Sequence, residues 1–175
     1  ATLAANGLAE AFIRLTLSRG VPSVRGLLPD KTTTKPTLVI QCGSFDGYPT
    51  ELYRRGLRVI TSSVRRNEYS PLSNIKSLNY LDNVLARQEA ADHGADDALL
   101  LNAAGRLVCA SAANLFFVQG KTLITAPLSA GVLPGTVRAH VIEVLAPALG
   151  LSVVEQAILP VEVQSMDEAF LTNVL

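Results

Sequence analysis

Asp97-Ala98-Leu99-Leu100-Leu101-Asn102-Ala103-Ala104-Gly105-Arg106-Leu107-Val108-Cys109-Ala110-Ser111-Ala112-Ala113-Asn114-Leu115-Phe116-Phe117-Val118-Gln119-Gly120-Lys121-Thr122-Leu123-Ile124-Thr125 is the stretch that sets the fold class. Short apolar runs alternate with turn-forming residues, the pattern of a strand meander. Strands are predicted over 97–101, 106–110, 114–118 and 121–125, with turns at Ala103-Ala104-Gly105 and Gln119-Gly120. Toward the N-terminus, Leu78, Leu81, Val84 and Leu85 recur at helical spacing over 77–91, with Arg87, Glu89 and Asp92 on other faces, and Gly94 closes that helix. Residues 12–19 alternate apolar and polar side chains and predict a half-buried strand, and further strands are predicted at 37–42 and 57–62. A short helix-tolerant segment spans 6–11, and 21–35, with Pro22, Gly26, Pro29 and three consecutive threonines, is a loop. Toward the C-terminus, Pro134-Gly135 precedes a helix carrying Val137, Val141, Val144 and Leu145 and closed by Gly150, followed by strands at 151–155 and 169–172. Strands in runs, interrupted by a few helices, predict an α+β (mixed α/β) domain and not a doubly wound sheet.

Composition narrows the function classes. At 175 residues, 49% hydrophobic and 17% charged, the chain reads as a single well-filled domain over 1–175. Fifteen basic residues balance fifteen acidic ones, and no Lys or Arg run interleaves with aromatics, so no nucleic-acid partner is expected. No apolar stretch approaches the roughly 20 residues of a membrane helix, and the first six residues lack a basic-then-apolar signal pattern, which predicts a soluble, cytoplasmic protein with no membrane partner. Cys42 and Cys109 are too few for a disulfide scaffold and have no partners at zinc spacing, so both are predicted to be reduced, buried thiols. His93 and His140 are expected on helix surfaces, with no metal site. Asp96-Asp97 and Asp167-Glu168 precede strands and are expected to be solvated strand-entry residues. The absence of an initiating methionine, and a strand-like run from Phe170 to Leu175 at the end, read as a piece of a longer chain.

One of the four lysines, Lys76, sits in Pro71-Leu72-Ser73-Asn74-Ile75-Lys76-Ser77-Leu78-Asn79-Tyr80-Leu81, among apolar neighbours at the mouth of the predicted helix. An amine partly withdrawn from water has its ammonium form disfavoured and suits a Schiff-base nucleophile; the plain alternative is a packed stem with a snorkelling charge. Arg65 and Arg66 are the candidate cationic neighbours that would favour the neutral amine, or else solvated surface residues. Gly135-Thr136-Val137 opens a helix, where free amides and the positive end of the dipole can take a phosphate, although a Pro-Gly start also occurs as plain capping.

Four pieces in order, Asn74-Ile75-Lys76-Ser77-Leu78-Asn79-Tyr80-Leu81, Ser111-Ala112-Ala113-Asn114-Leu115-Phe116-Phe117, Leu133-Pro134-Gly135-Thr136-Val137-Arg138 and Met166-Asp167-Glu168-Ala169-Phe170-Leu171-Thr172-Asn173, resemble the class IV aminotransferases, the fold-type IV pyridoxal-phosphate enzymes. The resemblance implies the large C-terminal cofactor-binding domain of that fold, as in the D-amino acid aminotransferases. It implies pyridoxal 5'-phosphate as cofactor, a small-molecule amino substrate, and a homodimer in the full-length protein. Lys76 is the implied catalytic residue, anchoring the cofactor and shuttling the substrate proton. The implied cofactor-binding set is Lys76, Tyr80, Cys109, Asn114, Gly135, Thr136, Val137, Thr172 and Asn173, with Thr136, Val137, Thr172 and Asn173 on the phosphate and Tyr80 near the cofactor's phenolic oxygen. The second and fourth pieces look most like the 4-amino-4-deoxychorismate lyase branch, which releases pyruvate and leaves 4-aminobenzoate. Branched-chain or D-amino acid aminotransferase is the close alternative, and a non-catalytic homologue or folded fragment the alternative of another class. Two departures stand out. Cys109 occupies the place where the family carries a glutamate that pairs with the pyridine nitrogen, and nothing ahead of Asn6 supplies the arginine that the family's small N-terminal domain adds to the phosphate cup.

Overall fold

In the computed structural model of the protein, residues 1–45 and 47–174 are described; the last residue of the strand-like run that ends at Leu175 lies outside them. They fall into two compact units, 1–49 and 50–174, where composition alone predicted one. In the first unit a short helix, α1 (Thr2–Ala5), precedes strands β1 (Phe12–Ser18) and β2 (Thr37–Gly43), paired antiparallel with Phe12 opposite Gly43. Both predicted strands are present, but the helical turn lies ahead of 6–11. The half-buried expectation for β1 fails, because Leu15 and Leu17 are exposed: a two-stranded ribbon has little surface on which to bury a face. Cys42 is only partly buried, so the buried-thiol expectation holds for Cys109 alone.

The second unit is built on a seven-stranded mixed sheet. Its strands are β3 (Val59–Arg66), β4 (Asp97–Asn102), β5 (Leu107–Ala110), β6 (Asn114–Gln119), β7 (Thr122–Thr125), β8 (Ser152–Glu155) and β9 (Glu168–Thr172), in the order β3-β4-β5-β6-β7-β8, with β9 also paired to β6. The β3–β4 and β7–β8 pairs are parallel and the rest antiparallel. The meander read from 97–125 is therefore the centre of the sheet. All four residues of β5 are buried, which is why that run is apolar without alternation. Phe116 is fully buried, its ring stacked on Phe170 with centroids 5.0 Å apart, and Leu123, Val141 and Ala146 complete that part of the core.

Helices position the rest. The stretch before β3 holds α2 (Thr50–Arg55). Helix α3 (Leu81–Asp92) starts four residues later than its periodicity predicted, because Ser77 and Tyr80 donate their amides to the carbonyls of Ile75 and Leu78 in turns. Its buried face is also the opposite one. Leu81, Val84 and Leu85 are exposed, while Asn83, Ala86 and Ala90 are buried against β3 and β4, where small side chains allow close approach of helix to sheet. A helix over 136–148 contains α4 (Thr136–His140), a wide π-helical stretch at Val141–Leu145, and α5 (Ala146–Ala148). Buried Arg138 fixes it to the sheet, donating to the Ala126 carbonyl at 2.9 Å and to Glu155 Oε2 at 2.6 Å. Short 3-10 turns at Pro71–Asn74, Leu128–Ala130 and Pro160–Ser165 carry no periodic signal and were not predicted. No helix among the described residues is long and apolar enough to cross a membrane.

The Phe116–Phe170 stack generates a stability prediction. Phe116→Ala removes a fully buried ring and its stacking partner's contact, and should cost about 3–5 kcal/mol. Urea unfolding of the variant should show the loss as a lower midpoint at unchanged slope; a change under about 1 kcal/mol would mean that this core does not carry the sheet.

Candidate functional site

The second unit carries a cleft of about 460 Å³ lined by the end of β3, the 72–80 segment, α3, the β5–β6 turn, the start of α4 and the end of β9. Its outline begins with Arg66. The guanidinium donates from Nε to the Gly131 carbonyl at 2.8 Å, from one terminal nitrogen to the Ser73 carbonyl at 2.6 Å and from the other to Asn83 Oδ1 at 3.3 Å. Arg66 is thus a partly buried lining residue and not a solvated one, whereas Arg65 is exposed, bonded to the Ser62 carbonyl, and outside the lining. Gly131 accepts this contact at φ +89°, with the Glu68 Cα 2.9 Å from where a Cβ would stand, so only glycine fits.

Lys76 lies on the segment between the 3-10 turn Pro71–Asn74 and α3. It lines the cleft, but it is exposed, so neither the helix-mouth position nor the withdrawal from water expected of it holds. The reason is local: 75–80 is turn and bend, open on the solvent side. The segment is held at its start by Ser73, whose hydroxyl donates to the Asn67 carbonyl at 2.6 Å. At its end Tyr80, in the N-cap position of α3 and 40% exposed, donates its hydroxyl to the Ser111 carbonyl at 3.3 Å, and Asn83 Nδ2 reaches the same carbonyl at 2.6 Å.

Further lining comes from β5, the β5–β6 turn and α4. Cys109, at the end of β5, is 6% exposed, and burial pushes its thiol up to about 11, partly offset by Arg66. It is a neutral thiol near neutral pH. Burial likewise raises the Tyr80 phenol, with Cys109 and Asp97 acting in the same direction and Arg66 against it. Asn114 donates to the Leu133 carbonyl at 2.9 Å and packs its Oδ1 where a side chain on Gly135 would stand, so the turn that opens α4 is built around a glycine. At the end of β9, Thr172 Oγ1 is buried without a hydrogen-bond partner, and Thr172 and half-buried Asn173 both line the cleft.

The residues singled out in the sequence, Lys76, Tyr80, Cys109, Asn114, Gly135, Thr136, Val137, Thr172 and Asn173, therefore meet around one cleft. Asn83 and Ser111 join them without having been singled out. Asn83 had a signal, as the one polar side chain on the Ala86–Ala90 face of α3. Asp97 also corrects an expectation: it is 6% exposed and hydrogen-bonded inside the unit, not a solvated strand-entry residue. Its neighbour Asp96 is paired with Arg55 at 2.7 Å, which holds its carboxyl well below the usual range, while Asp167 and Glu168 are exposed as expected. Among the described residues no cluster of His, Cys, Asp or Glu could hold a metal ion.

The charged residues among the described lining are Arg66 and Lys76, and none is acidic. A basic lining, the first amides of α4 and an unpaired buried hydroxyl suit a ligand with a compact anionic group, while the amine of Lys76 on the same cleft suits an electrophilic carbon.

The family model for amino-transferase class IV matches residues 1–175. A putative branched-chain-amino-acid aminotransferase of Methanocaldococcus jannaschii is 40% identical over 173 residues, covering 98% of this chain and 58% of that protein. Among solved structures, a putative 4-amino-4-deoxychorismate lyase of Legionella pneumophila superposes with TM-score 0.83 at 30% identity, over 99% of this chain and 62% of that one. The branched-chain amino acid aminotransferase of Thermobaculum terrenum in its pyridoxal-phosphate form superposes with TM-score 0.83 at 29% identity, over 98% and 55%. The chain thus spans about half to three-fifths of the length of these proteins.

The buried thiol makes a titration test. A thiol raised on folding stabilises the protein below its unfolded pKa, near 9, and that contribution is lost as pH rises through about 11. The urea midpoint should therefore fall between pH 9 and 11, and Cys109→Ala should flatten part of that fall. An unchanged slope in the variant would show that Cys109 is not the titrating group.

Proposed function

The chain belongs to the class IV aminotransferase family, and from that premise we propose that it forms the cofactor-holding part of a pyridoxal-phosphate enzyme that moves the amino group of an apolar α-amino acid. The observation that carries this reading is the shared lining of one cleft: Lys76, the start of α4, and Thr172, whose hydroxyl is buried without a partner. That unpaired, buried oxygen is the test of fit, because a phosphate oxygen would give it the partner it lacks. Thr136, Val137, Thr172 and Asn173 would hold the phosphate, and Lys76 Nζ would bind the aldehyde carbon. Bound pyridoxal phosphate supplies an electron sink for the pair left when the substrate's α-proton departs.

The remaining roles belong to the chain. Lys76 Nζ would also be the base of the cleft that carries the substrate's α-proton. Its exposed position leaves it free to move between the two tasks. Tyr80 orients the wall through Ser111, and Gly135 leaves room for Asn114 to hold the turn that opens α4. Cys109 offers a neutral thiol where the resemblance implied a carboxylate, so this wall stabilises a protonated ring nitrogen less than a glutamate would.

An aminotransferase is put first because of the 40% identity to the Methanocaldococcus protein. Pyruvate release from aminodeoxychorismate is the second reading, favoured by the Ser111–Phe117 and Phe170–Asn173 motifs and the likeness to the Legionella protein. A homodimer in a cytoplasmic setting, acting on a small amino substrate, belongs to both.

Three outcomes check the proposal. After borohydride reduction with pyridoxal phosphate, peptide mass mapping should find the phosphopyridoxyl group on Lys76 and no such adduct in Lys76→Ala; no adduct on Lys76 in the parent protein would point to a non-catalytic homologue. Leucine added to the loaded protein should convert the cofactor to its amine form without a keto acid, whereas conversion of aminodeoxychorismate to pyruvate, with leucine inert, would select the lyase. Thr172→Val should weaken pyridoxal phosphate about tenfold, or about 1.4 kcal/mol, and leave pyridoxal without its phosphate unaffected; equal losses for both would remove Thr172 from the phosphate.

A further inference from the structure

Asp97 is a buried carboxylate that the roles above leave unused. Its Oδ1 accepts the Ser111 hydroxyl at 2.5 Å, the Ser111 amide at 3.3 Å and the Ala98 amide at 2.7 Å. Its Oδ2 faces Arg87 at 3.0 Å, and the Arg87 side chain is 56% exposed, so the counter-charge stands mostly in water while the carboxylate does not. Ser111 is 1% exposed and is the next link inward, because its carbonyl collects both Tyr80 Oη and Asn83 Nδ2. Ser111, Tyr80 and Asn83 all line the cleft and Asp97 does not.

We propose that Asp97 is a positioning residue of the cleft, holding Ser111 and through it Tyr80 and Asn83, and that it supplies from behind the wall the negative charge that the lining lacks. A charge so placed acts differently from a lining carboxylate. It does not touch a ligand, since it lies outside the lining with its oxygens held by Ser111, Ala98 and Arg87, but its field crosses a poorly solvated wall with little screening. The groups that feel it are Cys109 and Tyr80, which also face Arg66. A positive charge on a bound ligand's ring would be favoured by the same field, which is where this inference rests on the cofactor reading; its effect on the protein's own groups does not.

The test is a pair of charge changes with opposite signs. Asp97→Asn keeps an acceptor for Ser111 and removes the charge, so the Tyr80 phenol, followed by ultraviolet titration against a Tyr80→Phe background, and the Cys109 thiol, followed by its alkylation rate against pH, should both ionise at lower pH, by roughly one pH unit. Arg87→Gln strips the exposed counter-charge without touching the buried group and should move both titrations upward by a smaller amount; it also serves if Asp97→Asn does not fold. In the protein loaded with pyridoxal phosphate, the pH midpoint of the cofactor's visible band should fall in Asp97→Asn. Titrations of Tyr80 and Cys109 that stay in place in a folded variant overturn the proposal. If they move as stated while borohydride finds no adduct on Lys76, the cofactor reading fails and the Asp97 assignment stands; if the adduct forms and they do not move, the reverse holds.

Discussion

Arg66 donates to the carbonyls of Gly131 and Ser73 and to the side-chain oxygen of Asn83, and the cleft takes its outline from those three bonds. A guanidinium drawn partly out of water must find acceptors or destabilise the fold, and here the acceptors belong to three segments distant in sequence. The loop before α4, the turn before Lys76 and the sheet-facing side of α3 are each located by the same cation. Glycine at 131 is part of the arrangement, since its backbone presses on Glu68 in a conformation that side chains resist. Strand β3 adapts to present Arg66. Its parallel ladder with β4 breaks between Thr61 and Arg65, and Glu89 on α3 takes the Ser62 hydroxyl and the Ser63 amide at the break.

The cleft is an electrostatic layering more than a set of ion pairs. Cations line it, a neutral thiol and a raised phenol form part of its wall, and the carboxylate of Asp97 stands behind. Such an order leaves the lining cations to favour an anion, while the buried acid, held by its own donors, acts on the wall through its field alone. Cys109 fits that order: a carboxylate in its place would put a negative charge on the wall itself, beside Arg66.

Much of the sheet was legible because its physics is local. The strands from β4 to β7 are short apolar runs with turn residues between them, and burial on both faces leaves little room for polar side chains. What escaped depends on distant partners. The leucines of α3 mark a helical stripe correctly, yet the buried face is set by Asn83, Ala86 and Ala90, since closeness to the sheet favours small side chains over large ones. Asp96 and Asp97 are adjacent and chemically alike, but Arg55 holds one at the surface while Ser111 and Arg87 hold the other inside, and nothing in the local sequence separates them. The motif residues of the cleft were recognisable from a resemblance carried by four pieces. The π-helical stretch at Val141–Leu145 has no signature, being one extra residue in a turn that otherwise reads as helix.

The segment that carries Lys76 is fastened at both ends: Ser73 is tied to Arg66 and Asn67, and Tyr80 and Asn83 are tied to Ser111. Glu89 locks β3 to α3, so the two anchorages belong to one mechanical body. A short tether between fixed posts confines its midpoint to a small volume while leaving the side chain there free to rotate. The lysine amine is thereby kept at a high effective concentration over the cleft without being buried in it, and its reach, more than its solvation, is what this fold has arranged.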